Sequence, residues 1–173
     1  MRLDGNFQPA QRVSPEKPCP MSLRIRAYAP TDEDAVLQLF RSNLEPYFVP
    51  EEEEELRHFL RQQVEVEGLP YFVAEQDGWS GPVAAGGYAL NNPHAVLTWG
   101  MVERSLHRRG IGKEFTRHRI RECRRAYPDR GIEVKTSQLT EDFYAGLGFR
   151  TLSVEPDKFG PGLHQVHMLL EEA

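Results

Sequence analysis

The spacing of apolar residues changes several times along the chain, and each change predicts an element. Leu23–Tyr28 alternates apolar and polar residues, the period of a half-buried strand. Pro30 ends it. Thr31 then stands at a helix-cap position with Asp34 three residues on, and Ala35, Val36, Leu39 and Phe40 mark one buried helical face. Glu45–Pro50 reads as a loop carrying Tyr47 and Phe48. The run Glu51–Glu55 opens a second helix, where acids suit the positive end of the dipole, with Leu56, Phe59, Leu60 and Val64 as its stripe. Gly68 and Pro70 stop that helix. Tyr71–Glu75 and Val83–Leu90 read as strands around an Asp77-Gly78 turn, and Gly86-Gly87 suggests a bulge or a close backbone approach. After a turn at Asn91–His94, Ala95–Glu103 is a strand interrupted by Gly100. A helix over 112–127 carries Phe115, Ile120, Cys123 and Tyr127 on its apolar side and ends at Pro128 and Gly131. Ile132–Ser137 reads as a strand, Thr140–Leu147 as a short helix, Phe149–Val154 as a strand, Lys158–Gly162 as a loop and Gln165–Leu170 as a closing strand. The order β-α-α-β-β-β-α-β-α-β-β predicts an α/β domain of the α+β kind, built on a mixed sheet.

Length and composition add only bounds. A chain of 173 residues, 39% hydrophobic and 27% charged, suits one domain with a substantial core. It has no apolar run near the roughly 20 residues that span a bilayer. Residues 1–20 are polar with four prolines and read as a disordered extension ahead of a domain over 21–173. The two cysteines, Cys19 and Cys123, and the lack of a secretory pattern predict a reduced, cytoplasmic protein.

The charge distribution says more than the net value of −5. Between Arg104 and Arg130, nine arginines and one lysine face three acids, a surplus of seven, so the remainder carries −12. A basic patch focused on an acidic chain suits a polyanionic ligand and argues against general nucleic-acid binding, which usually needs a basic domain. A solvated, arginine-rich helix face would give the same count.

The patch contains a strand, a basic glycine turn and a helix start: TWGMVERSLHRRGIGKEFTR over 98–117. Free N–H groups, the helix dipole and close backbone approach at glycine make such a turn a pyrophosphate site. A P-loop would need Gly at His107 and Ser or Thr at Glu114. A dinucleotide turn would need Gly at Phe115 and an initial βαβ unit. Both readings fail. The run His107-Arg108-Arg109-Gly110-Ile111-Gly112 resembles motif A of the GNAT (GCN5-related N-acetyltransferase) family, [QR]xxGx[GA], with His107 departing at the first position. A second segment, Ser137–Arg150 with Phe143-Tyr144-Ala145-Gly146-Leu147-Gly148-Phe149, resembles that family's motif B, FYxxxGF. The resemblance extends over about residues 23–170.

The resemblance implies a mostly antiparallel central sheet, flanked by helices, whose fourth and fifth strands splay apart to hold the pantetheine arm of acetyl-CoA. It places Met101 and Val102 along that arm, with one backbone N–H facing the thioester oxygen. It places His107, Arg108, Arg109, Gly110, Ile111, Gly112 and Lys113 around the pyrophosphate, and Ser137 and Phe143 against the cofactor. Arg104 and Arg109 are candidates for the ribose 3′-phosphate. Tyr144 matches the family's general acid, a phenol able to protonate the departing thiolate. The family's base position on the fourth strand is empty here: Val96-Leu97-Thr98-Trp99 offers no carboxylate or imidazole. Glu103 is the nearest candidate, but it sits past the splay and reads more readily as a surface or helix-capping carboxylate. His164 and His167, three apart on one strand, face opposite sides, which speaks against a shared metal site, and no metal is expected. His58, His94 and His118 read as surface or turn residues.

Tyr47, Phe48, Trp99, Phe159 and His164 are candidates for the acceptor site, and the acidic balance outside the patch favours a cationic amine, small or peptidic. The implied activity is acetyl transfer from acetyl-CoA to an amine by direct attack, with neither nucleic acid nor membrane as partner. A non-catalytic acyl-CoA-sensing module is the alternative, favoured by His107 and the missing base. Dimers are common in the family, though nothing in this sequence shows one.

Overall fold

In the computed structural model, which describes residues 23–173, β1 (Leu23–Ala27), α1 (Glu33–Ser42), α2 (Glu52–His58), β2 (Tyr71–Gln76), β3 (Ala84–Asn91), β4 (His94–Val102), α3 (Ile111–Ala126), β5 (Ile132–Thr136), α4 (Glu141–Ala145), β6 (Arg150–Gly160) and β7 (Leu163–Leu170) follow one another as the periodicity predicts. The expected extension over 1–20 lies outside the described residues. The strands form one sheet in the order β1-β2-β3-β4-β5-β7-β6, antiparallel everywhere except at β4–β5. That single parallel junction needs a crossover, which α3 supplies.

Helices cover both faces. On one, Val36, Leu37 and Phe40 of α1 and Leu56 of α2 pack with Leu60 on Tyr71, Val73, Ala85 and Met101. On the other, Ile120 and Cys123 of α3 and Tyr144 of α4 pack with Phe149 on Tyr88, Leu97, Ile132, Val134 and Met168. Phe115 and Ile111 meet Ala74, Val83 and Ala84. Each fully buried large side chain contributes about 1.5–3 kcal/mol.

Three details differ from the sequence pattern. Thr31 does not cap α1. Instead Asp32 accepts the Ala29 N–H at 2.9 Å and receives both Nη atoms of Arg26 at 2.7 and 2.8 Å, so the chain turns through a short 3-10 segment, Pro30–Asp32. The second helix widens into a π-helical stretch, Phe59–Val66, which keeps Phe59 and Leu60 buried and turns Val66 outward. β6 continues through Lys158 and Phe159, so the expected loop shrinks to a tip at Pro161-Gly162. Gln138 holds that tip, donating from Nε2 to Gly162 O at 2.7 Å and accepting the His164 N–H at 2.9 Å.

Two glycines bring β3 close to its surroundings. Gly87 has Pro70 O packed where a Cβ would project, so only glycine fits there. The β3–β4 register then slips between Ala85 and Gly87, where Trp99 takes a left-handed conformation at φ 36°. The extra β4 residue forms a bulge, which bends the strand and ends its pairing with the next.

Candidate functional site

The bulge produces the central feature of the molecule. β4 pairs with β5 only at Ala95↔Ile132 and Val96↔Glu133, and from Leu97 to Val102 it leaves β5 behind. An open strand edge leaves polar groups exposed, and side chains answer several β4 carbonyls here. Thr98 O accepts from Arg119 at 2.8 Å, Trp99 O from the Tyr71 hydroxyl at 2.9 Å, and Val102 O from Asn43 Nδ2 at 2.8 Å. The result is a gap held open between two fixed strands, with Met101 buried and Val102 half-buried along it.

α3 begins at one end of the gap. Gly110 precedes it with φ 85°, and the first helical bond runs from Glu114 N to Gly110 O at 3.1 Å. The N–H groups of Ile111, Gly112 and Lys113 therefore have no helical carbonyl, an anion-binding arrangement. Arg108, also left-handed at φ 63°, and Arg109 and Lys113 are exposed around it. The Gly112 face is bounded by the Val102 side chain and the Phe143 ring, about where a Cβ would make ordinary contact at 3.5–3.6 Å. This turn therefore offers bare backbone to a ligand, with Phe143, 37% exposed, beside it.

His107 behaves differently from its expectation. Its Nε2 lies 3.0 Å from Val102 O and its ring packs edge-on against Tyr47, so it folds back to close β4. Arg104 is likewise engaged, donating to Leu44 O and Glu45 O and lying over the Tyr47 ring. Glu103 caps the 3-10 turn Arg104–Leu106, accepting from the Ser105 N–H at 3.3 Å and its hydroxyl at 3.0 Å. The capping alternative describes its geometry.

Tyr144 stands at the other side of the gap. α4 buries it, with its ring edge-on to Phe143 and Phe149 at centroid separations of 5.1 and 5.5 Å. Ser137, also buried, shapes the turn into α4 by accepting the Leu139 and Thr140 N–H groups. The Tyr144 hydroxyl faces the Arg119 guanidinium, which favours that group's charge.

Two groups that the sequence did not single out emerge here. Arg119 is buried on the α3 side of the bulge, and its place was legible in principle: it shares the i, i+4, i+8 stripe of Phe115 and Cys123. Glu133 is buried on the opposite sheet face, its Oε1 3.5 Å from His167 Nε2 and 4.0 Å from His94 Nε2, with Asn91 Nδ2 at 3.3 Å from Oε2. His94, expected to be an ordinary turn residue, is thus part of a titratable cluster. Of the acceptor candidates, Phe48 stacks between Phe40 and Trp99, and Tyr47 rests on His107. Phe159 and His164 sit on the β6–β7 hairpin, whose tip reaches the other side: a Cβ on Gly160 would lie 3.7 Å from Val49. The hairpin tip and the 45–50 loop thus come together.

Residues 46–172 match the profile described as the acetyltransferase (GNAT) domain. The chain belongs to the GNAT family of acetyltransferases. The GNAT fold recurs in solved structures. A GNAT-family protein from Desulfovibrio desulfuricans superposes with a TM-score of 0.74 at 19% identity, covering 88% of this chain and 100% of its own. The ribosomal-protein-S18-alanine N-acetyltransferase of Escherichia coli gives 0.69 at 17% identity, covering 88% and 96%. The yncA protein of Salmonella typhimurium, solved with acetyl-CoA, gives 0.69 at 16% identity, covering 88% and 95%. None of the curated proteins compared matches the chain. No helix of the described residues is long and apolar enough to cross a membrane, and no group of three or more His, Cys, Asp or Glu among them is placed to hold a metal ion.

Proposed function

We propose that this GNAT domain, spanning residues 21–173, moves the acetyl group of acetyl-CoA to an amine by direct attack, in the cytoplasm. The observation that carries the proposal is the opening between β4 and β5, with a helix N-terminus that no side chain caps at one end and Tyr144 at the other. A pantetheine arm lying against β4 would meet the backbone of Met101 and Val102, and the Ile111, Gly112 and Lys113 N–H groups would receive the pyrophosphate. Arg108 and Arg109 remain available for phosphate, whereas His107 and Arg104 are held by protein carbonyls. Ser137 and Phe143 flank the arm.

The amine nitrogen attacks the thioester carbon. A β4 N–H beside the carbonyl oxygen stabilises the oxyanion, and the C–S bond then breaks. Tyr144 donates its proton to the departing sulfur. The amine proton passes through water to Glu133, which is the better candidate than Glu103 because it pairs with Val96 where β4 and β5 part and its carboxylate caps no turn. The acceptor enters under the 45–50 loop and the β6–β7 hairpin. Acidic groups there, Glu45, Glu155 and Asp157, favour a cationic amine, and the E. coli neighbour's ribosomal-protein alanine makes a peptide amine a suitable first class to try.

A second reading, an acyl-CoA sensor without turnover, is favoured by the engagement of His107 and Glu103 in protein contacts. Titration calorimetry with acetyl-CoA, with ATP and NAD as controls, separates the readings together with an amine and peptide panel. We expect saturable binding of acetyl-CoA alone, abolished in Gly110→Trp. We expect binding retained but turnover reduced about 10²–10⁴-fold in Tyr144→Phe. Tight binding with no turnover on any amine supports the sensor, and no preference for acetyl-CoA ends both readings.

A further inference from the structure

Arg119 is the largest of the fully buried side chains, 1% exposed, and no carboxylate among the described residues pairs with it. Taking a guanidinium out of water without a counter-charge is costly. Here burial works against the charge and lowers the group's affinity for its proton, opposed by the Tyr144 and Tyr71 hydroxyls and the Cys123 thiol. These are the titratable groups that face it, from α4, β2 and its own helix.

The site is built for this side chain. Nε and Nη2 donate to Gly87 O at 3.2 and 2.9 Å, and Nη2 donates to Thr98 O at 2.8 Å. The guanidinium lies 5.8 Å from the Phe115 ring centroid. A Cβ at Gly86 would come within 2.7 Å of its Cζ, and one at Gly100 would strike Nη1. Two glycines on adjacent strands thus leave the space that the guanidinium fills, directly behind the opening of β4. Among the described residues, the Gly87 and Thr98 carbonyls, the Phe115 ring and the Tyr144 hydroxyl answer the cation, and no carboxylate does.

We propose that Arg119 is a positioning residue of acyl transfer: a fixed positive charge behind Tyr144 that favours negative charge on sulfur as the C–S bond breaks. This rests on the acetyl-CoA reading of the gap. In the step, the electron pair of the C–S bond leaves on sulfur, sulfur takes the Tyr144 proton, and the phenolate left behind stands beside Arg119 until solvent returns a proton. The amine's surplus proton leaves through water, so the products are the amide and CoA with its thiol restored. A preorganised charge needs no rearrangement when the negative charge forms.

The test reads the charge directly and needs no acceptor. The ionisation of the CoA thiol bound to the protein is followed by thiolate absorbance, as the difference between complexes with CoA and with desulfo-CoA, which cancels the protein's own thiols and phenols. An opposite charge within about 4–6 Å shifts an ionisation by about 1–3 units. We expect the bound thiol of the unaltered protein to ionise about one unit or more below free CoA, a tenfold effect. In Arg119→Met it should return toward the free value, and in Arg119→Lys most of the shift should survive. Circular dichroism and CoA titration establish that each variant is folded and binds. A bound thiol that ionises like free CoA in the unaltered protein overturns the proposal, whether or not Arg119→Met folds. So does a folded, CoA-binding Arg119→Met that keeps the full shift. Failure of the unaltered protein to bind CoA at all refutes the acetyl-CoA reading instead.

Discussion

Asp32 shows how one side chain reaches the site without touching it. Its carboxylate joins Arg26 of β1 to the start of α1, and α1 ends in Asn43, whose Nδ2 closes Val102 O at the gap. The Arg26 guanidinium, aided by the Ala29 N–H, holds the Asp32 carboxyl below the usual range against the opposing effect of burial. Because the folded value lies below the unfolded one of about 3.9, the contribution is complete above that pH and is lost as pH falls through the lower folded value. Asp32→Asn should therefore be about 1–3 kcal/mol less stable than the unaltered protein at pH 7. The difference should shrink below about pH 4. Urea denaturation at several pH values checks this, and a gap that stays constant down to pH 2 would contradict it. The sequence marked this corner as a helix start but misassigned the cap. Thr31 and Asp34 have the right spacing, and only the distant Arg26 reveals that Asp32 is the carboxylate in use. Arg119 escaped notice for a related reason. Charge counts treat an arginine run as one solvated face, although its spacing from Phe115 and Cys123 put it on the buried side.

At the scale of elements, the order of strands and helices and the strand–turn–helix site were readable because each has its own period and its own punctuation. The splay was expected only through family resemblance. Its physical cause lies in tertiary contacts: the bulge at Trp99, the Pro70 carbonyl against Gly87 and the side chains that answer β4 carbonyls. Glu133 was invisible for a different reason. Between Ile132 and Val134 it has the alternation of an ordinary outward-facing polar residue, yet β7 and the β3–β4 turn enclose it with His167 and Asn91. This placement discriminates between the two proton acceptors. Glu133→Gln should lower kcat by about 10²–10⁴ while leaving acetyl-CoA affinity unchanged. Glu103→Gln should change kcat only slightly, since its carboxylate serves the Arg104–Leu106 turn. Steady-state kinetics with the best amine of the panel decides. The reverse pattern, with Glu103→Gln the damaging change, would return the role to Glu103.

Across the whole molecule, charge is sorted by position. The chain is acidic, yet α3 and the turn before it hold a surplus of seven positive charges. Most of these are exposed, with Arg117, Arg121 and Arg124 lining an open groove beside Leu147 and Leu170. Arg119 is the exception within the same helix, sealed from solvent. Salt should separate the two populations. At an ionic strength of 0.1 M the Debye length is about 10 Å, so exposed arginines attract a polyanion strongly only in dilute salt. Acetyl-CoA affinity should therefore weaken several-fold or more as salt rises from roughly 0.05 to 0.5 M. Arg117→Gln combined with Arg121→Gln should flatten that dependence, because both side chains are exposed and form no ion pair among the described residues. The ionisation of the bound CoA thiol should hardly move over the same range, because a buried charge acting over a short path is screened little. Calorimetric titrations across the salt series, paired with the thiolate absorbance measurement, supply both quantities from the same samples. Affinity indifferent to salt would place pyrophosphate binding wholly on the backbone of the Gly110–Lys113 turn and deny the arginine patch a part in capture. A thiol ionisation that tracks salt as steeply as affinity does would mean that the charge acting on sulfur is an exposed one, and not Arg119.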